Sequence, residues 1–108
     1  MYFCNAGTRP SKELSPGVCT RTFWGDKMLV SLLEFSPNSV VPMHTHPQEQ
    51  VGVVIEGELY MTIGAETRLM KAGESYVIPG DVEHGGKTGE KPAKVVDVFS
   101  PVRDEYKY

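Results

Sequence analysis

His44-Thr45-His46-Pro47-Gln48-Glu49-Gln50, and further along Gly73-Glu74-Ser75-Tyr76-Val77-Ile78-Pro79-Gly80-Asp81-Val82-Glu83-His84, contain all three histidines of the chain. His44 and His46 are two residues apart. On a strand, that spacing puts both imidazoles on one face. Imidazole is also the commonest side-chain ligand of divalent transition metals. A ligand from the same stretch is either Glu49 or Gln50. Chemistry favours the carboxylate, because it brings a negative charge. Geometry favours Gln50, because it keeps the even phase of the histidines while Glu49 points away. Pro47 is able to shift that phase locally, so the choice stays open on the residues alone. His84 follows a short apolar run and the Pro79-Gly80 turn, where a wall residue near a barrel mouth is expected.

Outward from these segments the chain reads as strand after strand, an all-β pattern. The expected strands are 20–24, 28–35, 50–55, 59–63, 67–70, 75–78 and 93–99. Turn residues separate them: Gly25-Asp26, Ser36-Pro37-Asn38-Ser39, Glu56-Gly57-Glu58 as a hairpin tip, Gly64-Ala65-Glu66, and Lys71-Ala72-Gly73-Glu74. Residues 85–92 form the longest polar stretch and are expected to be a mobile surface loop. Residues 11–14 allow one helical turn between Pro10 and Pro16. The reading is one domain over 1–108, with a barrel core at about 20–100, an N-terminal arm at 1–19 and a tail at 101–108. That aromatic tail is a candidate to pack on a partner subunit.

The totals are those of an ordinary globular domain: 108 residues, 40% hydrophobic and 23% charged. The net charge is −3, from 11 basic and 14 acidic residues, without a basic block. That excludes the electrostatic footprint of a nucleic-acid binder. No apolar run is long enough to span a bilayer. The first ten residues lack the basic-then-apolar order of a signal peptide, so a cytoplasmic protein is expected. Cys4 and Cys19 do not make a Cys-x-x-Cys pair and read as small structural thiols.

The spacing His44-x-His46-x3-Gln50-x6-Gly57 resembles the first motif of the cupin superfamily. Gly73-x5-Pro79-x4-His84 resembles the second, with the short intervening segment typical of small one-barrel cupins. The resemblance covers about 34–99. It implies a jelly-roll-like double-stranded β-helix barrel holding one divalent transition metal ion (zinc, nickel, iron or manganese) on His44, His46, Gln50 and His84. Three motif positions depart from the pattern without touching the ligands. Asn38 and Asp81 stand where glycines are usual, and Thr88 where an asparagine is. Asn tolerates positive φ, so the first turn survives. The fourth departure matters more: Gln50 replaces the usual glutamate ligand. With every protein ligand neutral, the ion keeps its full formal charge, attracts an anionic substrate and acts as a strong Lewis acid. The two-histidine-one-carboxylate face of many iron oxygenases is missing.

The last strand places Asp97 and Phe99 on one face and Val96 and Val98 on the other. Asp97 reads as a structural, hydrogen-bonded aspartate or as a general acid/base whose pKa the apolar barrel raises. Arg103 reads as a surface arginine or as a clamp for a substrate carboxylate. Phe99 is core, or a wall for a sugar ring. Asp97-x-Phe99-Ser100-Pro101-x-Arg103, together with Gln50, resembles the pectin-degradation cupins that linearise unsaturated uronates. That resemblance implies Asp97, Phe99 and Arg103 as active-site residues, Gln50 rather than Glu49 as ligand, and a 4,5-unsaturated uronate monomer as substrate. The alternatives are an oxygen-using metal cupin (a dioxygenase) and a non-enzymatic sugar-acid-binding module. Met43, Met61, Met70, Trp24 and Phe35 are expected in packing roles. Tyr60 and Tyr76 are able to offer a hydroxyl, and Arg21 and Glu34 occupy plausible barrel-lining positions. A homodimer is expected, with the apolar face of 28–35 as a candidate interface.

Overall fold

Strand β2, Val18–Trp24, buries Val18, Thr20 and Thr22 at alternate positions, and β3, Leu29–Phe35, buries Leu29, Ser31, Leu33 and Phe35 in the same phase. A period of two is what a strand with one face on a core dictates. The computed structural model describes residues 2–108, and among them nine strands form a nearly closed antiparallel barrel. The others are β1 (Lys12–Ser15), β4 (Val40–His44), β5 (Glu49–Ile63), β6 (Glu66–Lys71), β7 (Ser75–Ile78), β8 (His84–Lys87) and β9 (Ala93–Ser100).

Two sheets share β5. Its first half lies between β9 and β7 in a sheet of order β1-β2-β3-β9-β5-β7. Its second half lies between β8 and β6, with β4 beyond β8. The Ser15 hydroxyl donates to the Val40 carbonyl at 2.7 Å and ties β1 to β4 across the seam. Val18, Leu33, Phe35, Val54, Leu59 and Ile78 belong to the apolar core. Along β9 the inward residues run Ala93, Val95, Asp97, Phe99, so the interior changes from apolar to functionalised along one strand. The buried Thr20 and Ser31 hydroxyls satisfy each other at 2.6 Å, as buried polar groups must.

Several sequence expectations are corrected. Glu56-Gly57-Glu58 is not a hairpin tip, because β5 runs through it. Gly57 has φ +79 and sits beside a register shift between Val54 and Glu56, which bends β5 from one sheet into the other. A Cβ there would collide with the Pro92 carbonyl, so the glycine serves close approach, not reversal. Residues 12–15 form β1, paired to β2, and not a helical turn. Strands β4 and β8 were not expected. The supposed loop 85–92 starts inside β8, where Gly85 and Gly86 are buried. A Cβ at Gly85 would lie 2.8 Å from the Val41 carbonyl oxygen, so this glycine lets β4 and β8 approach. The tail folds onto its own barrel: Arg9 Nη2 donates to the Tyr108 carbonyl and Thr22 Oγ1 to the Tyr106 carbonyl, both at 2.6 Å.

Asn38 and Asp81, standing where the motifs usually have glycine, both take left-handed conformations, with φ 56 and 66. Asn and Asp are the non-glycine residues that adopt this region most readily. Cys4 is exposed, Cys19 is half-buried, and both are free. No helix among the described residues is long and apolar enough to cross a membrane.

Candidate metal centre

His44 ends β4 and pairs across the ladder with His84, which begins β8. Their ring centroids are 4.4 Å apart. His46 is on neither strand. It lies in the turn between β4 and β5, and its carbonyl accepts the Asp81 backbone N–H at 2.9 Å. The left-handed turn at Asp81 therefore fixes His46 from the opposite segment. His44 and His46 converge, but through an anchored turn and not through the shared strand face that their spacing suggests. Gln50, the second residue of β5, is buried opposite Phe99 and Ile78, while Glu49 is exposed.

Each imidazole is oriented through Nδ1. That atom faces the carbonyl of Pro42 for His44 (2.8 Å), of Gln48 for His46 (3.1 Å) and of Val82 for His84 (2.8 Å). A carbonyl only accepts, so each Nδ1 carries the proton and each Nε2 presents a lone pair. His46 Nε2 then faces His84 Nε2 at 3.1 Å and Gln50 Oε1 at 3.0 Å. Gln50 turns its Oε1 toward the imidazoles. Three acceptors thus meet with no proton between them, and a cation resolves that arrangement. One nitrogen from each of the three histidines lies within 4.8 Å of the others. Three neutral imidazoles and an amide oxygen fit a divalent transition metal ion.

Electrostatics keep the imidazoles available. Burial pushes His84 down to about 4, helped by His44, His46 and Arg103, against the hydrogen bond to Val82. Burial and then the Arg103 charge lower His46 as well. Both rings are neutral at neutral pH, the state a ligand requires.

Asp97 lies next along the wall, 6% exposed, opposite Gly52 on β5 and Ser31 on β3. The Tyr76 hydroxyl donates to its Oδ1 at 2.5 Å. Burial raises the Asp97 pKa to about 6, opposed by hydrogen bonds from Tyr76 and Gln50 and by Arg103. Arg103 is buried, not solvated. Its guanidinium carbon lies 4.0 Å from the Tyr106 ring centre and 5.3 Å from that of Phe99, and its Nε donates to Glu105 Oε1 at 2.8 Å. The Phe99 ring stands edge-on to His46 at 5.4 Å. His44, Gln50, His84, Asp97, Phe99 and Arg103 all line one cavity of about 440 Å³, counting the space open at its mouth.

The sequence reading did not single out Gly52 and left the direction of Tyr76 undecided. A glycine inside an apolar strand was the available signal. Of the other candidates, Met61 lines the cavity and Phe35 and Met70 pack in or against the core. Met43, Trp24, Tyr60 and Glu34 are exposed. Arg21 is tied to the carbonyls of Ala6 and Arg9.

Comparison with known proteins agrees with this architecture. The chain is 27% identical over 107 residues to the pectin degradation protein KdgF of Dickeya dadantii, covering 97% of this chain and 96% of the relative. Its structure superposes on that of KdgF from Halomonas sp. with a TM-score of 0.86 at 25% identity, covering 97% and 96% of the two chains. An RmlC-like cupin from Shewanella frigidimarina superposes with a TM-score of 0.91 at 21% identity over 98% and 96%, a likeness of fold. The cupin domain family model matches residues 31–99, from within β3 to β9, and so takes in both histidine segments and the strand that carries Asp97. The chain belongs to the cupin family.

Proposed function

We propose that this cupin holds one divalent transition metal ion on His44, His46, Gln50 and His84 and linearises a 4,5-unsaturated uronate monomer of the kind released in pectin breakdown. The observation that carries the reading is a buried carboxylate, Asp97, lining the same cavity as Gln50, two of the three clustered histidines and a buried arginine. Similarity over nearly the whole chain to a pectin degradation protein supports the substrate class.

The reaction is an isomerisation, so atoms balance without a co-reactant. The anomeric hydroxyl loses its proton as the bond between C1 and the ring oxygen breaks, giving an aldehyde. The ring oxygen, attached to the alkene, is left as an enolate. A proton returned to carbon converts that enolate to a ketone beside the carboxylate. A divalent ion bound at the cluster supplies Lewis-acid stabilisation of negative charge developing on oxygen. Asp97 accepts the hydroxyl proton and delivers one to carbon, and its pKa of about 6 suits both roles near neutral pH. Arg103, with only its Nε engaged among the described residues, offers its remaining N–H groups to the substrate carboxylate. Phe99 limits the orientations of the ring. The neutral ligand set also favours an anionic substrate over the oxygenase alternative.

The test is incubation of metal-loaded protein with the unsaturated monomer, following loss of the ring alkene. Metal-dependent loss is expected. A rate equal to buffer rejects the reading, and substrate-stimulated oxygen uptake on the iron-loaded protein redirects it to the oxygenase class.

A further inference from the structure

We propose that Tyr76 is a positioning residue that holds Asp97 for proton transfer, in a slot that Gly52 keeps open. The inference rests on the uronate-linearising reading of the site.

Three residues on three adjacent strands form one row. Gly52 on β5 is paired with Tyr76 on β7 to one side and with Asp97 on β9 to the other. Neighbouring strands lie about 4.8 Å apart, so the outer members of such a row are normally separated by the side chain between them. At residue 52 there is none. A Cβ built there would collide with Asp97 Oδ1 and with the Tyr76 ring and hydroxyl at once. The glycine therefore fits no turn and no bend. It makes room for a hydrogen bond that crosses a strand.

Within that row the Tyr76 hydroxyl gives its proton to Asp97 Oδ1 at 2.5 Å, with both residues buried. Burial and the neighbouring carboxylate hold Tyr76 well above its ordinary pKa, so it remains a donor throughout the working range. A carboxylate that accepts this hydrogen bond at Oδ1 cannot rotate freely. A single group that takes a proton from a hydroxyl and returns one to carbon depends on such fixation. Because Tyr76 acts through Asp97, its removal should affect turnover and leave substrate and metal capture intact.

The experiment compares metal-loaded wild type, Tyr76→Phe, Asp97→Asn and the double variant on the unsaturated uronate monomer. Tyr76→Phe is expected to lower kcat by about 10- to 100-fold with KM and metal stoichiometry close to wild type. Asp97→Asn and the double variant are expected to be equally slow. Wild-type kcat in Tyr76→Phe overturns the inference, and so does a further loss when Tyr76→Phe is added to Asp97→Asn. Should Tyr76→Phe fail to fold, Gly52→Ala serves instead, since it displaces the pair while keeping both functional groups. The same loss of kcat, absent in the Asp97→Asn background, is then expected, and unchanged turnover overturns the inference. An inactive wild type sinks the uronate reading itself, an outcome distinct from an active wild type indifferent to Tyr76.

Discussion

The Nε2 atoms of His46 and His84 face each other at 3.1 Å while the Nδ1 atoms of both rings are committed to backbone carbonyls. Two lone pairs at that distance repel unless a cation lies between them. Metal binding should therefore stabilise the fold directly. At a free metal concentration 100-fold above Kd, stabilisation is about 2.7 kcal/mol. For a domain of this size that raises Tm by about 10 °C or more. Chelator-treated protein titrated with zinc, nickel, manganese or iron in a thermal melt checks this, and His84→Ala should abolish most of the rise. A melt indifferent to all four ions contradicts the ligand set. Because burial holds His84 at about 4 in the fold, against 6.5 ordinarily, the metal-free protein should lose stability as pH falls through that window.

Gln50 joins two parts of the site, with its oxygen toward His46 and its side chain lowering the pKa of the Asp97 carboxyl against burial. Gln50→Glu should keep the metal, since a carboxylate is a competent ligand. It also puts a second negative charge beside Asp97 and reduces the charge that a bound ion presents to an anionic substrate. The expected outcome is undiminished metal affinity with kcat/KM for the uronate down by about 10- to 100-fold, an electrostatic cost of about 1.4 kcal/mol per tenfold. Isothermal titration with metal and steady-state kinetics separate the two effects.

How much of this was legible in the sequence depends on whether a feature is local. The alternation of β2, β3 and β9 follows from residue types and short spacings, whereas the convergence of both histidine segments and the choice of Gln50 over Glu49 were legible through the resemblance to the cupin motifs. What was missed depends on partners distant in sequence. Gly57 carries the local signature of a tight turn, and only the approach of Pro92 makes it a bend within a continuous strand. Gly85 and Gly86 look like a flexible loop until β4 is brought against them. Gly52 offers only the signal of a glycine inside an apolar strand, because its meaning lies in two side chains from neighbouring strands.

Glycine substitutions should divide accordingly. Gly52→Ala forces a methyl group into the space shared by Asp97 and Tyr76, and overpacking of this kind costs about 1–3 kcal/mol. Gly25 has no heavy atom within 4 Å of an added Cβ and no positive φ. Gly25→Ala should be neutral or stabilising by about 0.5 kcal/mol through the unfolded chain. Urea unfolding of both variants checks the contrast. Equal effects at the two positions would mean that the barrel relaxes around residue 52 without strain.

Asp97 should trade stability for activity, with a pH dependence that identifies it. Its pKa is raised in the fold, from 3.8 to about 6, mainly by burial. The native state therefore binds this proton more tightly than the unfolded chain. The benefit is complete below about pH 4 and lost as pH rises through about 6. Above that, the wild type carries a buried carboxylate at a cost on the order of 3 kcal/mol. Asp97→Asn removes the charge and keeps an oxygen to accept the Tyr76 hydroxyl. Its unfolding midpoint in urea should exceed that of wild type at pH 8 and match it near pH 4, while turnover at pH 8 falls by about 100-fold or more. A variant less stable than wild type at pH 8 would mean that the ionised carboxylate is held by its partners more strongly than burial penalises it. Asp97 would then be a structural anchor and not a poised acid/base.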